Sequence, residues 1–177
     1  MDRWYALQVT TGAEGDVKTR LDRLAYLAML PMKIMRERRN GRWRDETKVM
    51  LPGYLFVQAA MTAADWHRIR RLPGVLRILG GDRPSPLSDD ETARIQWLDN
   101  GGTPWALSEC VQEDGSCRIV GGPLAGKESE ILSFNLRQNR ARIRACILGE
   151  EKTIELGVTA QETPGTAETI SSAAEEG

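Results

Sequence analysis

The sequence of 177 residues contains few of the residues that most catalytic and metal sites require. It has one histidine, His67, which excludes a pair of histidine ligands for a metal. Its three cysteines cannot pair evenly, and none lies in a Cys-x-x-Cys motif. No apolar run approaches the ~18 residues of a transmembrane helix, and the polar N-terminus is unlike a secretory signal. We therefore expect a cytoplasmic protein with buried, reduced thiols, no metal site and no membrane contact.

One segment fits a nucleotide-binding motif, but its surroundings do not. Residues 121–127 match Gly-x-x-x-x-Gly-Lys, the loop that cradles phosphates in nucleotide hydrolases. The next residue should be a serine or threonine that holds magnesium, whereas here it is Glu128. The loop should also open a helix, and the residues that follow it have a strand pattern instead. A turn between strands is therefore favoured, and we predict neither a catalytic set nor a cofactor.

Acidic and basic residues are unevenly distributed. From Ala160 onward there are four acidic residues and no lysine or arginine, so the remainder holds 24 basic and 21 acidic residues. Basic residues cluster around Trp43, where residues 33–48 carry +4, and also at 68–71 and 137–144. Each cluster suits phosphate contacts and base stacking, and equally suits a solvated charged surface.

Residues 1–98 alternate between strand and helix patterns. Asn40-Gly41 favours a hairpin turn, and Thr62 and Ser88 favour the starts of two helices. The order βαββαβα predicts a ferredoxin-like antiparallel sheet with helices on one face. Strands are predicted at 4–9, 32–39, 54–57 and 75–79, and helices at 17–28, 62–72 and 88–98.

The remaining residues have a different pattern. Turn-forming residues between Asp99 and Pro104 predict a boundary, after which short strand patterns are typical of a small β-barrel. Strands are predicted at 117–120, 129–134, 140–148 and 152–157. We thus predict domains at 1–98 and 107–159, a linker at 99–106 and a disordered acidic tail at 160–177.

Several segments occur in the order found in NusG-type transcription elongation factors, which this sequence resembles over residues 1–159. The segments are WYALQV at 4–9 with Gly12, Glu14 and Gly15 after it, LPGYLFV at 51–57, LPGV at 72–75, PSPLS at 84–88 and GGPLAG at 121–126. The second resembles the Phe-Pro-Gly-Tyr segment of the family, and the last resembles the turn of a KOW motif.

This resemblance implies an α+β protein with an N-terminal ferredoxin-like NGN domain and a KOW domain that forms an SH3-like five-stranded barrel. Such proteins are monomeric transcription factors, not enzymes. The NGN domain docks on the clamp helices of the largest subunit of RNA polymerase, across from the β-subunit gate loop, and favours processive elongation. By resemblance, the docking residues here are Trp4, Tyr5, Leu51 and Tyr54, for each of which core packing is the alternative.

Two departures from the family pattern favour a specialised member. Residues 147–150, Ile-Leu-Gly-Glu, lack the aromatic residue and the arginine that general members present to the termination factor Rho or to a ribosomal protein, which weakens those contacts. The arginine-rich strand resembles paralogues of the LoaP type, operon-specific antiterminators whose KOW domain holds an RNA hairpin. Arg71 lies where some relatives contact the non-template DNA strand.

We therefore predict an operon-specific elongation and antitermination factor whose second domain binds a nascent RNA hairpin. The alternative is a general NusG that couples transcription to Rho-dependent termination or to the ribosome. A nucleotide hydrolase and a stand-alone RNA-binding barrel are rivals from other classes. The predicted nucleic-acid-binding residues are Arg71, Arg118, Lys127, Arg137, Arg140, Arg142 and Arg144.

Overall fold

The computed structural model describes residues 1–162. The elements of the N-terminal part are β1 Arg3–Val9, α1 Glu14–Arg23, β2 Leu27–Met29, β3 Met32–Arg39, β4 Arg42–Val49, β5 Tyr54–Ala59, α2 Ala63–Arg70, β6 Val75–Ile78 and α3 Asp89–Asp99. An antiparallel four-stranded sheet, in the order β2-β5-β1-β6, forms the centre of this part. A separate two-stranded hairpin joins β3 to β4. None of these helices is long and apolar enough to span a membrane.

The central sheet is covered on both faces. Alternate residues of β1 point to opposite sides, so Leu7 packs with α1 and α2 while Ala6 packs with α3. The ferredoxin-like antiparallel sheet is confirmed. The prediction that all helices lie on one face is wrong for α3, because Ile95 and Leu98 join the core on the other side.

Local sequence signals mark the starts of two helices and the turn of the hairpin. Thr62 and Ser88 both form complete capping boxes, with Asp65 and Glu91 respectively. Asn40 and Gly41 adopt the positive φ angles of a tight hairpin turn.

Helix α1 is shorter than predicted. It ends at Arg23, and Ala25 has a φ of 61°, which a helix cannot accommodate. The chain then enters the short strand β2, which the sequence pattern had assigned to the helix.

The C-terminal part is a strongly curled five-stranded sheet, here called the barrel, in the order β8-β7-β11-β10-β9. Its strands are β7 Ser108–Glu113, β8 Ser116–Gly121, β9 Ile131–Asn135, β10 Arg140–Ile147 and β11 Glu150–Glu162. Strand β7 was not predicted. Strand β11 continues past the predicted strand end at 157 and the predicted domain end at 159, because residues 158–162 pair in parallel with β7. The prediction of a disordered tail is therefore wrong for residues 160–162. The rest of the predicted tail lies outside the described residues.

The barrel packs directly on the N-terminal part, and apolar residues of both form one continuous core. Strand β11 lies beside β3, where Gly157 approaches the backbone of Ile34. The segment that joins the two parts is ordered at this contact, since Trp105 is buried and exchanges backbone hydrogen bonds with Met32 and Ile34.

Candidate functional site

The predicted docking residues do not all share one surface. Trp4, Leu51 and Tyr54 lie on the α3 side of the central sheet. Tyr5 lies on the opposite side, 7% exposed, in the core beneath α1 and α2. The geometry therefore assigns Tyr5 to core packing and leaves three residues that could form a contact surface, here called the apolar face.

A buried carboxylate positions the turn that carries Leu51 and Tyr54. Glu14 is 3% exposed, and its two carboxylate oxygens accept hydrogen bonds from the backbone N–H groups of Gly12 (2.7 Å) and Gly53 (2.8 Å). Gly53 has a φ of 82°, a conformation that favours glycine. The start of α1 thereby fixes the turn that leads into β5.

The barrel covers the apolar face. Leu51 is only 6% exposed, and Tyr54 lines a small cavity of about 330 Å³ with Ile147 and Leu148 of the barrel. The ammonium group of Lys152 lies 5.2 Å from the centre of the Tyr54 ring, within range of a cation–π interaction. The same contact buries Ile147 and partly buries Leu148, whereas Gly149 and Glu150 of that turn are exposed.

An ion network joins the β3–β4 hairpin to the barrel. Arg140 on β10 donates to Glu37 on β3 (2.6 Å) and to Glu155 on β11 (2.8 Å). The hydrogen bond from Lys48 and the charge of Arg140 hold the pKa of Glu37 below its usual value, and Arg140 acts likewise on the pKa of Glu155. Both carboxylates are thus stabilised in the charged form.

Further contacts join the N-terminal part to the barrel at the hairpin and at α3. Lys33 donates to the backbone carbonyl of Glu155 (2.6 Å), and burial lowers the pKa of its ammonium group. Helix α3 also touches the barrel: Arg94 donates to the carbonyl of Cys146 (2.7 Å), and Lys127 lies 5.1 Å from the centre of the Trp97 ring.

Four of the seven basic residues predicted to bind nucleic acid are arginines in ion pairs, and Lys127 lies against Trp97. Arg140, Arg142 and Arg144 do alternate with buried residues along β10, as the sequence pattern indicated. Each forms an ion pair with a glutamate on β11, as Arg118 does with Glu113 on β7.

Two further arginines of that set are exposed. Arg137 lies in a short helical turn before β10, and Arg71 follows α2 on the opposite side of the central sheet from the barrel. The structure therefore does not gather all seven residues into one surface.

The glycine-rich segment 121–127 is a packed turn. Leu124 is buried, and its backbone N–H donates to the hydroxyl of Ser108 (3.0 Å). The carboxylate of Glu128 accepts a hydrogen bond from the N–H of Gly126 (3.1 Å), where a phosphate-binding loop would present that donor to its ligand. A short helical turn and then β9 follow, so the helix that such a loop requires is missing at this position.

Histidine and cysteine form no metal cluster among residues 1–162. Cys110 is buried, and burial together with the neighbouring Cys117 raises its thiol pKa to about 12. Cys146 is exposed, so the expectation of buried thiols is wrong for that residue.

Sequence patterns missed three residues at the contact between the two parts: Glu37, Lys152 and Gly157. Each is ordinary in its own segment, and its role depends on a neighbour more than 90 residues away in the chain. The unusual feature that could have pointed to Gly157 is a glycine inside a run otherwise rich in strand formers.

Comparison with known proteins agrees with this architecture. Residues 2–96 match the family model described as "Transcription termination factor nusG". The "Transcription termination/antitermination protein NusG" of Escherichia coli (strain K12) is 31% identical over 169 residues, which covers 87% of this chain and 92% of the relative. The corresponding protein of Pseudomonas aeruginosa is 29% identical, covering 87% of this chain and 94% of its own.

A solved structure shares the fold. "Domain interaction in Thermotoga maritima NusG" aligns with a TM-score of 0.54 at 20% sequence identity and covers 89% of this chain and 94% of that one.

Proposed function

The chain belongs to the NusG family of transcription termination and antitermination factors, which are not enzymes, and from this premise we propose how it engages RNA polymerase. The N-terminal domain (residues 1–98) docks through Trp4, Leu51 and Tyr54 on the clamp helices of the largest polymerase subunit, near the β-subunit gate loop, in the cytoplasm. This contact keeps the polymerase in its processive form. A domain of 107–159 follows a linker at 99–106.

One observation carries this proposal: Leu51 and Tyr54 lie together on the face that the barrel covers, and Trp4 lies on the same side of the central sheet. Aromatic residues that become desolvated on binding contribute most of the energy at protein interfaces. The cover itself is largely apolar, whereas the ion pairs at the hairpin and the lysine–aromatic contact at Tyr54 lie at partly exposed sites, where such contacts are each weak.

The barrel therefore competes with the polymerase for the apolar face. The apparent affinity equals the intrinsic affinity multiplied by the fraction of molecules in which the face is uncovered, so loosening the cover strengthens polymerase binding. Domain interaction is also the subject of the solved Thermotoga maritima NusG structure, in keeping with such a contact.

The test is binding of fluorescently labelled full-length protein to purified RNA polymerase. We expect Tyr54→Ala to weaken binding about tenfold or more, because truncation of a central interface aromatic costs about 2 kcal/mol. The control is Tyr26→Ala, which truncates a half-buried tyrosine packed on the opposite side of the sheet. Equal affinity of the wild type and Tyr54→Ala would refute the docking surface, and an equal loss in Tyr26→Ala would indicate a general loss of structure.

We further propose that the chain is an operon-specific factor whose barrel contacts a nascent RNA hairpin. Arg137, Arg142 and Arg144 support this proposal because their side chains remain accessible. A duplex RNA contacts clustered arginines through its phosphates and shape. The turn at residues 147–150 supports the specialised role, since Leu148 and Glu150 differ from the aromatic and basic residues of general members.

Two measurements test the specialised role. The first is chromatin immunoprecipitation of the tagged protein across the genome, which should find it with polymerase on only a few operons. Occupancy over most transcribed genes would instead favour the general factor that couples to Rho or the ribosome. Alanine at Arg137, Arg142 and Arg144 should weaken binding to RNA transcribed from those operons and reduce its salt dependence. Unchanged binding would refute the role of the barrel.

A further inference from the structure

The β3–β4 hairpin ends in a basic tip that neither the polymerase contact nor the barrel contact uses. Its base is held against the barrel through Ile34, Arg36 and Glu37. Beyond Glu37 the chain leaves the body of the protein, and all residues from Arg38 to Asp45 are exposed. The tip, residues 38–44, contains four arginines and Trp43 but no carboxylate.

The charges of the hairpin are only partly neutralised. Arg36 pairs with Asp45 (3.0 Å), Arg39 with Glu46, and Lys48 with Glu37 (2.6 Å). Within residues 1–162, Arg38, Arg42 and Arg44 form no ion pair. The ion pairs brace the two strands and leave three guanidinium groups free for a ligand.

Pairing of the strands places one of these arginines on the same face of the hairpin as an exposed aromatic ring and the other two on the opposite face. Arg38 is directly opposite Trp43, so the two side chains share one face of the hairpin. Arg42 and Arg44 alternate onto the other face. Trp43 is 43% exposed, so a large part of its ring is open to a ligand.

We propose that this tip binds a single-stranded nucleic acid, with Trp43 stacking on an unpaired base and Arg38, Arg42 and Arg44 contacting the flanking phosphates. An aromatic surface beside unpaired arginines is the chemistry by which proteins hold single strands without reading their sequence. The net charge of the whole chain is −1, so attraction of a polyanion depends on local concentrations of positive charge, of which this tip is one. The inference is independent of the polymerase contact and concerns a different part of the surface.

The experiment measures fluorescence anisotropy of fluorescein-labelled 12-nucleotide RNA and DNA strands of one sequence, and of the DNA duplex, over a series of salt concentrations. The first variant replaces Arg38, Arg42 and Arg44 by alanine. We expect weaker single-strand binding and a log–log salt slope that falls by about 2, since each phosphate contact on a single strand contributes about 0.7. Trp43→Ala should weaken binding about tenfold with little change in slope.

Two control variants separate the site from charge and folding effects. Alanine at Arg20, Arg23 and Arg83 removes the same charge from exposed positions elsewhere and should leave binding unchanged. Lysine at Arg38, Arg42 and Arg44 keeps the charge and should preserve the slope, and Trp43→Tyr should preserve most of the stacking.

Four outcomes would overturn the proposal. The first is unchanged single-strand binding in the alanine variants, and the second is an equal loss in the charge control. The third is duplex binding that exceeds single-strand binding and does not need Trp43. The fourth is that the alanine variants of the tip lose polymerase binding but keep oligonucleotide binding. The last would make the tip a protein contact. Failure of the polymerase proposal is recognised separately, because the Tyr54→Ala measurement involves neither the hairpin nor an oligonucleotide.

Discussion

At the scale of the single residue, the buried carboxylate of Glu14 joins two segments of the chain. Buried carboxylates are rare unless hydrogen bonds satisfy them, and here two backbone donors do so. One of the donors belongs to Gly53, in the turn between Leu51 and Tyr54. The first turn of α1 also favours a negative charge at this position. A single side chain therefore connects the start of a helix with the shape of the apolar face.

We predict that Glu14→Ala destabilises the protein by about 3 kcal/mol, because two backbone N–H groups lose a charged acceptor, one of them buried. Chemical denaturation measures the loss. Asp16→Ala is the control, since Asp16 is an exposed acidic residue of the same helical turn. If both variants unfold at the same denaturant concentration as the wild type, Glu14 does not fix the turn.

At the scale of the element, the approach of β11 to β3 determines whether the barrel can cover the apolar face. A Cβ atom added to Gly157 would lie 2.5 Å from the backbone oxygen of Ile34 and 2.3 Å from a side-chain carbon of Leu107. Leu107 can rotate away, whereas the Ile34 oxygen can move only with its strand. Glycine at 157 is therefore needed for close packing of two strands from different parts of the molecule.

We predict that Gly157→Ala separates the hairpin from the barrel and thereby strengthens polymerase binding. Small-angle X-ray scattering should show a larger radius of gyration, and amide hydrogen exchange should increase at Ile34 and Trp105, which are bonded across this contact. Gly15→Ala is the matched control because a Cβ there meets no atom within 4 Å. Unchanged exchange at both amides in Gly157→Ala would contradict the prediction.

At the scale of the whole molecule, the contact between the barrel and the N-terminal part is imperfectly satisfied. Arg140 Nε and Trp105 Nε1 are buried without a hydrogen-bond partner among the described residues, and each such group costs about 1–3 kcal/mol. The ion pairs of Glu37 and Glu155 with Arg140 offset part of this cost. Because unpaired polar groups offset part of the stabilisation from the ion pairs, this contact can open when a competing partner binds the uncovered surface more favourably.

We predict that acid weakens this contact. The folded-state pKa values of Glu37 and Glu155 lie below the usual value of 4.5, so their contribution is present above about pH 4.5 and disappears as the pH falls through the lowered values. Hydrogen exchange at Ile34 should therefore rise on going from pH 6 to pH 3.5, after correction for the intrinsic rate. The double variant Glu37→Gln, Glu155→Gln should show weaker dependence. An equally steep dependence in that variant would assign the effect to other groups.

The sequence by itself determined the local elements and the family. Capping residues at Thr62 and Ser88, the Asn40-Gly41 turn and the alternation along β10 are satisfied by near neighbours in the chain, so their patterns could be interpreted directly. Strand β2 was missed because it has only three residues, and β7 because its place in the sheet depends on pairing with β8 and β11. The ordered motifs at 4–9, 51–57 and 121–126 likewise predicted the family that the comparisons confirm.

Only the tertiary structure decided which residues face a partner and which are covered. Tyr5 and Trp4 are adjacent in the sequence, yet the pleat of β1 sends one into the core and the other to the apolar face. The arginines of β10 and those of the hairpin tip are alike in the sequence, but the first are paired with glutamates on β11 while Arg38, Arg42 and Arg44 extend into solvent. Charge neutralisation and burial depend on residues that are distant in the chain, and local patterns contain no record of those neighbours.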